Sequence, residues 1–166
     1  MDSYLERLRR ELEETIDGVS LDRLVLAPAG KWNSAQILEH LFLTYKGTNA
    51  GLQKCLDQDA PLVSPAKWNK HVGRLLVVGL GYMPGGRKSP ERVAPRGMPA
   101  EEVPQAIVIE LQKMTARLEH CERRFGARVK ILDHTFLGPL TSQQWRKFHW
   151  VHGRHHLRQV RERIGK

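Results

Sequence analysis

Residues 99–126 read PAEEVPQAIVIELQKMTARLEHCERRFG, and their apolar side chains recur every three or four positions. This spacing places one apolar stripe along one face of an α-helix. The stripe consists of Val103, Ile107, Leu111, Met114, Leu118, Cys121 and Phe125. The acids Glu101 and Glu102 suit the positive end of a helix dipole, and Gly126 is typical of the position just after a helix. The segment therefore predicts an amphipathic helix that packs one face against other helices.

Helical spacing also appears before and after this segment. It predicts a helix over residues 2–16, a second helix over residues 33–58, and a last helix from Thr141 almost to the C-terminus. The three starts fit the capping-box pattern, in the pairs Ser3 and Glu6, Asn33 and Gln36, and Thr141 and Gln144. Residues 67–80 predict a shorter helix, although the LVVGL within them also fits a strand.

The stretch MPGGRKSPERVAPRGMP within residues 82–99 holds four prolines and three glycines. So many breakers predict a long loop, and a loop of that length in a compact domain is usually functional or mobile. The chain shows no convincing strand pattern. Four or five helices joined by loops predict an all-α helical bundle.

Composition limits the class of protein. The chain has 166 residues, a usual size for one domain, so residues 1–166 are expected to form a single helical-bundle domain. No window approaches the roughly 20 uncharged apolar residues of a membrane span. The N-terminus lacks the apolar region of a secretory signal, so a cytoplasmic location is expected. Cys55 and Cys121 lie far apart without CxxC spacing, which excludes a disulfide framework and a zinc knuckle.

The net charge of +9 raises the question of nucleic-acid binding. Residues 141–166 carry seven lysines and arginines against one acid, whereas residues 1–20 carry three against six. A helical wheel places the basic residues of the last helix on its outer side, namely Arg146, Lys147, Arg154, Arg158 and Arg161. No helix-turn-helix, zinc-finger or RNA-binding signature accompanies them, so a solvated basic face is the simpler interpretation and nucleic acid is not the expected partner.

Half of the eight histidines lie close together in the last helix: His149, His152, His155 and His156. The wheel places them on the apolar face with Trp145 and Phe148. Burying several imidazoles costs free energy unless each finds a partner, and a metal ion is such a partner. His152 and His156 have the i, i+4 spacing of the HExxH zinc motif. No glutamate follows the first histidine, so a zinc protease of that class is excluded.

A catalytic zinc site typically has three protein ligands and an open position. The best candidate for the third ligand is His40 in the second predicted helix, although a lone histidine on an apolar helix is more often a hydrogen-bonded core residue. His149 and His155 flank the pair. They could donate to the ligands, provide a fourth ligand, or be solvated rings.

Two segments together resemble a known superfamily: WNSAQILEHL at residues 32–41 and HTFLGPLTSQQWRKFHWVHGRHHLRQ at residues 134–159. They are similar to the DinB-like/YfiT-like superfamily of metal-dependent enzymes, and more narrowly to a bacterial branch described only as a domain of unknown function. The resemblance extends over nearly the whole chain. It implies a four-helix bundle with one long crossover and a three-histidine site for zinc or nickel. On this chain the implied ligands are His40, His152 and His156.

Details of the C-terminal motif carry the resemblance further. His156 lies three residues before Gln159, as in the superfamily's HRGQ-like ending, which makes Gln159 a candidate contact of the ligands. Leu157 and Arg158 stand where many relatives have Arg-Gly. This difference affects the residues that would contact the substrate and leaves the implied metal ligands unchanged. Characterised members include transferases and isomerases that use low-molecular-weight thiols. The resemblance therefore implies a small-molecule substrate, with such a thiol as one candidate.

The leading hypothesis is a metal-dependent hydrolase or thiol transferase, with no catalytic residue assigned beyond the ligands. The basic residues of the long loop are candidate contacts for an anionic substrate, namely Arg87, Lys88, Arg92 and Arg96. Two alternatives stay open: a non-enzymatic bundle that binds nucleic acid or an acidic partner through its basic face, and a bundle that keeps the metal only for stability. A homodimer is also left open.

Overall fold

Four long helices form most of the computed structural model, which describes residues 3–65, 73–82 and 89–166. They are α1 (Tyr4–Ile16), α3 (Ser34–Asp57), α4 (Val103–Phe125) and α5 (Ser142–Ile164), and the single turn α2 (Leu21–Val25) lies between the first two. α3 packs along α4 and also against α5, and α1 packs along α5. The expected all-α bundle is confirmed.

The predicted helix starts are confirmed at their caps. The Ser3 side chain accepts a hydrogen bond from the backbone N–H of Glu6. The side chains of Asn33 and Thr141 each form a complete capping box with the residue three positions on. These local bonds satisfy N–H groups that have no partner within the helix, which explains why such starts can be predicted from sequence.

The core lies where the apolar stripes of the four long helices meet. Its fully buried members include Leu5, Leu8, Leu12, Leu38, Leu41, Leu52, Ile107, Leu111, Met114, Leu118, Leu157 and Val160. α5 approaches its neighbours closely at Gly153, where a Cβ atom would lie 2.5 Å from Cδ1 of Leu8 and 2.9 Å from the Tyr45 hydroxyl. The absence of a side chain at Gly153 thus lets α5 pack against both α1 and α3.

A two-stranded antiparallel sheet precedes α5, so the expectation of no strand was wrong. β1 (Lys130–His134) pairs with β2 (Gly138–Thr141), with Leu132 opposite Leu140 and His134 opposite Gly138. The strands are too short to show a period, and β2 contains a glycine and a proline, which usually break strands. Contact with the bundle supports the hairpin instead, since the Leu132 side chain packs against Gly51 of α3.

The connection between α3 and α4 contains two short helical turns within the described residues. A π-helical turn covers Leu75–Gly79, which supports the helical interpretation of residues 67–80 over the strand, while residues 67–72 of that prediction lie outside the described part. A 3₁₀ turn covers Glu91–Val93 within the predicted loop, of which residues 83–88 also lie outside the described part. In the ranges described, no helix combines the length and the apolar character needed to cross a membrane.

Candidate metal centre

The structure brings together three histidines that are distant in sequence. His40 lies on α3, and His152 and His156 lie on successive turns of α5. One nitrogen from each ring belongs to a group of potential ligand atoms that all lie within 4.8 Å of one another. The ring centroid of His40 is 4.7 Å from that of His156 and 5.4 Å from that of His152. Such a cluster of nitrogen atoms could coordinate a single cation.

His40 has one nitrogen bonded and one without a partner. Its Nδ1 lies 2.9 Å from the carbonyl oxygen of Val93, so Nδ1 carries the proton and donates it. Its Nε2 is buried and has no hydrogen-bond partner among the described residues. Because Nδ1 holds the proton of the neutral ring, Nε2 carries a lone pair, which is the form that binds metal.

His156 is set in the same tautomer by Gln159. The Nε2 of Gln159 lies 3.3 Å from Nε2 of His155, and its Oε1 lies 2.8 Å from Nδ1 of His156. The amide nitrogen donates to His155, so the amide oxygen faces His156 and accepts the proton of Nδ1. His155 and Gln159 are thus contacts of a candidate ligand. The His155 ring is therefore not simply a solvated ring, because it accepts a hydrogen bond from Gln159.

The nitrogens of the α5 pair lie very close together. Nε2 of His152 is 3.1 Å from Nε2 of His156, while Nδ1 of His152 has no partner among the described residues. Two lone pairs at this distance repel each other unless a proton or a cation lies between them. The two Nε2 atoms are therefore placed to bind one proton or one metal cation between them.

Burial keeps the three rings neutral. It lowers the pKa of His40 below its ordinary value, and it lowers the pKa of His152 well below. Burial, helped by the neighbouring His40 ring, lowers the pKa of His156 to about 3. A metal can bind only an imidazole whose nitrogen is deprotonated, so this environment removes the competition from protons near neutral pH.

Aromatic side chains surround the cluster. Phe148 stacks on His152 with 5.5 Å between ring centroids, and the centroid of the Trp32 ring is 5.5 Å from that of His40.

His149 is fully buried between Trp145 and Tyr45, so it is not a solvated ring, and it lies outside the three-histidine group. Both of its ring nitrogens lack partners in the described residues, and burial lowers its pKa to about 3.

Sequence reasoning missed Glu39 and Val93. The buried carboxylate of Glu39 accepts hydrogen bonds from the backbone N–H groups of Arg96 at 2.7 Å and Gly97 at 3.1 Å. An acid beside a candidate ligand on a largely apolar helix was the only available signal. Its partners are backbone atoms more than fifty residues away, and no sequence pattern specifies such contacts.

Comparison with known protein families identifies a match over most of the chain. The family described as "Protein of unknown function (DUF1569)" matches residues 8–163, which is nearly the whole chain. The chain belongs to this family. Neither the curated proteins nor the solved structures contain a match. The matched range of DUF1569 includes all three histidines of the cluster and the crossover between α3 and α4.

The predicted anion contacts of this DUF1569 chain are only partly described. Arg92 is exposed and donates to the Thr135 hydroxyl at 2.7 Å, and exposed Arg96 donates to the Arg92 carbonyl at 3.4 Å. Arg87 and Lys88 lie outside the described residues. The two described guanidinium groups thus brace the crossover and the hairpin, and their contact with an anion stays a prediction.

The predicted outer basic face of α5 needs one correction. Arg146 is buried, and its guanidinium bonds both carboxylate oxygens of Glu122 on α4, at 2.5 and 3.0 Å. The wheel could not show this, because it contains no information on where α4 lies.

Two other basic residues of α5 pair with the first helix. Arg154 and Arg161 both donate to Glu11 on α1. The acidic N-terminal helix therefore lies beside the basic C-terminal helix and offsets part of its charge.

Proposed function

We propose that this chain is a metal-dependent enzyme of the DinB-like superfamily, with His40, His152 and His156 as ligands of one zinc or nickel ion. The observation that carries the proposal is the buried, unpartnered Nε2 of His40 beside the closely spaced Nε2 atoms of the other two rings. An unpaired buried nitrogen costs free energy, and a cation bound by the three Nε2 atoms would remove that cost at His40. The same cation would relieve the repulsion between the lone pairs of His152 and His156.

The donor set fits such an ion. Imidazole nitrogen is a suitable ligand for both zinc and nickel, and three neutral rings leave the charge of the ion uncompensated. When bound, a divalent ion with three imidazole ligands and an open position lowers the pKa of a coordinated water or thiol toward neutrality. The supported reaction classes are therefore hydrolysis and transfer to a small thiol.

The protein's own groups prepare the site for that chemistry. The Val93 carbonyl and the Gln159 side chain hold the protons of His40 and His156 on Nδ1. The Phe148 ring limits the orientations of the His152 ring by stacking on it. The substrate is a small molecule, with a low-molecular-weight thiol as one candidate, and the exposed Arg92 and Arg96 would attract an anionic group on it.

Metal analysis tests this proposal directly. We expect protein purified without chelator to contain about one zinc or nickel ion per chain. His152→Ala should lose the metal, whereas His120→Ala, which alters an exposed histidine on α4, should keep it. Well-folded wild-type protein that takes up neither ion would refute the proposal. Thiol-conjugation and ester- or amide-hydrolysis assays on the loaded protein then separate the two reaction classes.

A non-enzymatic role in binding nucleic acid has less support. Carboxylates on other helices already engage Arg146, Arg154 and Arg161. Fewer free cations remain to contact phosphates, whose binding would depend steeply on salt. Titration with duplex DNA at increasing salt concentration distinguishes the two roles, and tight binding that weakens steeply with salt would favour the alternative.

A further inference from the structure

We propose that Glu39 is a positioning residue of the metal centre, because its carboxylate anchors the crossover segment whose Val93 carbonyl holds the proton of His40 on Nδ1. The inference rests on the proposed function and assigns a role to a residue that is not itself a ligand. The two neighbouring residues of α3, Glu39 and His40, both bond to the backbone of the crossover.

The first set of contacts fixes the crossover to α3. Glu39 is 3% exposed, and each of its carboxylate oxygens accepts one backbone N–H, from Arg96 at 2.7 Å and from Gly97 at 3.1 Å. Gly97 has a φ of +91°, a conformation that glycine adopts readily and other residues rarely do. A buried carboxylate requires such donors, and hydrogen bonds to a charged group are about twice as strong as neutral ones.

The second set fixes the ring of the ligand. Val93 lies three residues before Arg96, and its carbonyl oxygen accepts the Nδ1 proton of His40 at 2.9 Å. The chain between the two anchors is stiff: Pro95 has a fixed φ, and Ala94 before it is extended at φ −68° and ψ 141°. A shift of the anchored backbone at Arg96 and Gly97 would therefore move the Val93 carbonyl as well.

The link between these contacts has a chemical consequence. Without the Val93 acceptor, the proton of the neutral His40 ring is free to occupy Nε2, which removes the lone pair that would bind the ion. Groups that orient ligands in this way typically contribute 10- to 100-fold to metal affinity. Glu39 thus acts on the ligand through the backbone of the crossover and touches neither ion nor substrate.

Glu39→Gln tests this role against a matched control. Glu110 on α4 is also buried, at 7% exposure, and accepts a hydrogen bond from Asn49 at 2.7 Å. A purely structural role predicts similar behaviour for Glu39→Gln and Glu110→Gln. We expect only Glu39→Gln to weaken Zn²⁺ binding, by about tenfold or more in competition with a chromophoric chelator. Equal affinities in the two variants would overturn the proposal.

A second readout uses metal-free protein and so separates this inference from the proposed function. Long-range ¹H–¹⁵N spectra report which ring nitrogen of His40 carries the proton. We expect Nδ1–H in wild type and in Glu110→Gln, and a mixture with Nε2–H in Glu39→Gln. An unchanged tautomer in Glu39→Gln would overturn the inference even if zinc binds. Failure of wild type to bind either zinc or nickel would overturn the proposed function, and with it the metal-site role of Glu39.

A backbone variant covers the case in which Glu39→Gln does not fold. Arg96→Pro removes the N–H that Glu39 accepts at 2.7 Å while leaving the carboxylate in place. It should weaken Zn²⁺ binding and shift the His40 tautomer, whereas Arg96→Ala keeps that N–H and should retain both. Identical results for the proline and alanine variants would contradict the proposal.

Discussion

Nδ1 of His156 lies 2.8 Å from Oε1 of Gln159, one turn further along the same helix. Because Gln159 also donates to His155, its amide cannot rotate without losing a hydrogen bond. The side chain of Gln159 therefore sets the direction in which the Nε2 lone pair of His156 faces His40 and His152. A residue three positions from a ligand thus decides which of its nitrogens is available.

Gln159→Leu should weaken zinc binding by about 10- to 100-fold, because His156 would lose the acceptor that fixes its tautomer. Calorimetric titration of the metal-free protein measures the effect. Gln143→Leu changes an exposed glutamine on the same helix and serves as the control. Wild-type affinity in Gln159→Leu would show that this hydrogen bond does not orient the ligand.

Zinc should stabilise the folded chain, because the cluster of three rings exists only in the folded state. At a free concentration of about 100 times Kd, the free energy of unfolding should rise by about 2.7 kcal/mol, and Tm by roughly 5–10 °C. Thermal unfolding with zinc and with EDTA measures this difference. His156→Ala should show no difference, and His120→Ala should behave as wild type. A zinc-induced shift that survives in His156→Ala would place the ion elsewhere.

His149 should make the metal-free protein sensitive to acid. Burial, helped by the nearby His134 ring, lowers its pKa to about 3, whereas an unfolded chain takes up this proton near pH 6.5. Stability from the neutral ring is therefore complete above about pH 6.5 and is lost as the pH falls toward 3. His149→Phe should reduce the slope of unfolding free energy against pH by up to about 1.4 kcal/mol per pH unit.

Urea unfolding in EDTA between pH 4 and pH 7 checks this slope. His120→Phe removes an exposed histidine and should leave the slope unchanged. If His149→Phe retained the full slope of wild type, the titration would have to be assigned to the other buried rings.

Two helical glycines should respond in opposite directions to alanine. At Gly153 a Cβ would lie 2.5 Å from Leu8 and 2.9 Å from the Tyr45 hydroxyl, so Gly153→Ala should destabilise the fold by about 1–3 kcal/mol. At Gly47 nothing lies within 4 Å, so Gly47→Ala should stabilise it by about 0.5–1 kcal/mol. Urea midpoints measure both changes. A neutral Gly153→Ala would mean that α1 and α5 can separate without cost.

Local chemistry made the helices predictable. Ser3, Asn33 and Thr141 start helices through bonds that reach only three residues along the chain, and the apolar stripe of α4 repeats within each turn. The hairpin at residues 130–141 escaped prediction because its strands are too short for a period. Its Leu132 side chain packs against Gly51 of α3, and local sequence does not specify such a contact.

In the candidate site, too, local spacing predicted some features and tertiary packing decided the others. The i, i+4 spacing by itself determined that His152 and His156 would share one helix face, since this follows from the geometry of a single helix. Only the tertiary structure decided that His40 lies against them. It also decided that Arg146 is buried on Glu122 and that Glu39 anchors the segment carrying Val93. Each of these contacts joins segments that helix packing brings together, so their partners cannot be read from local spacing.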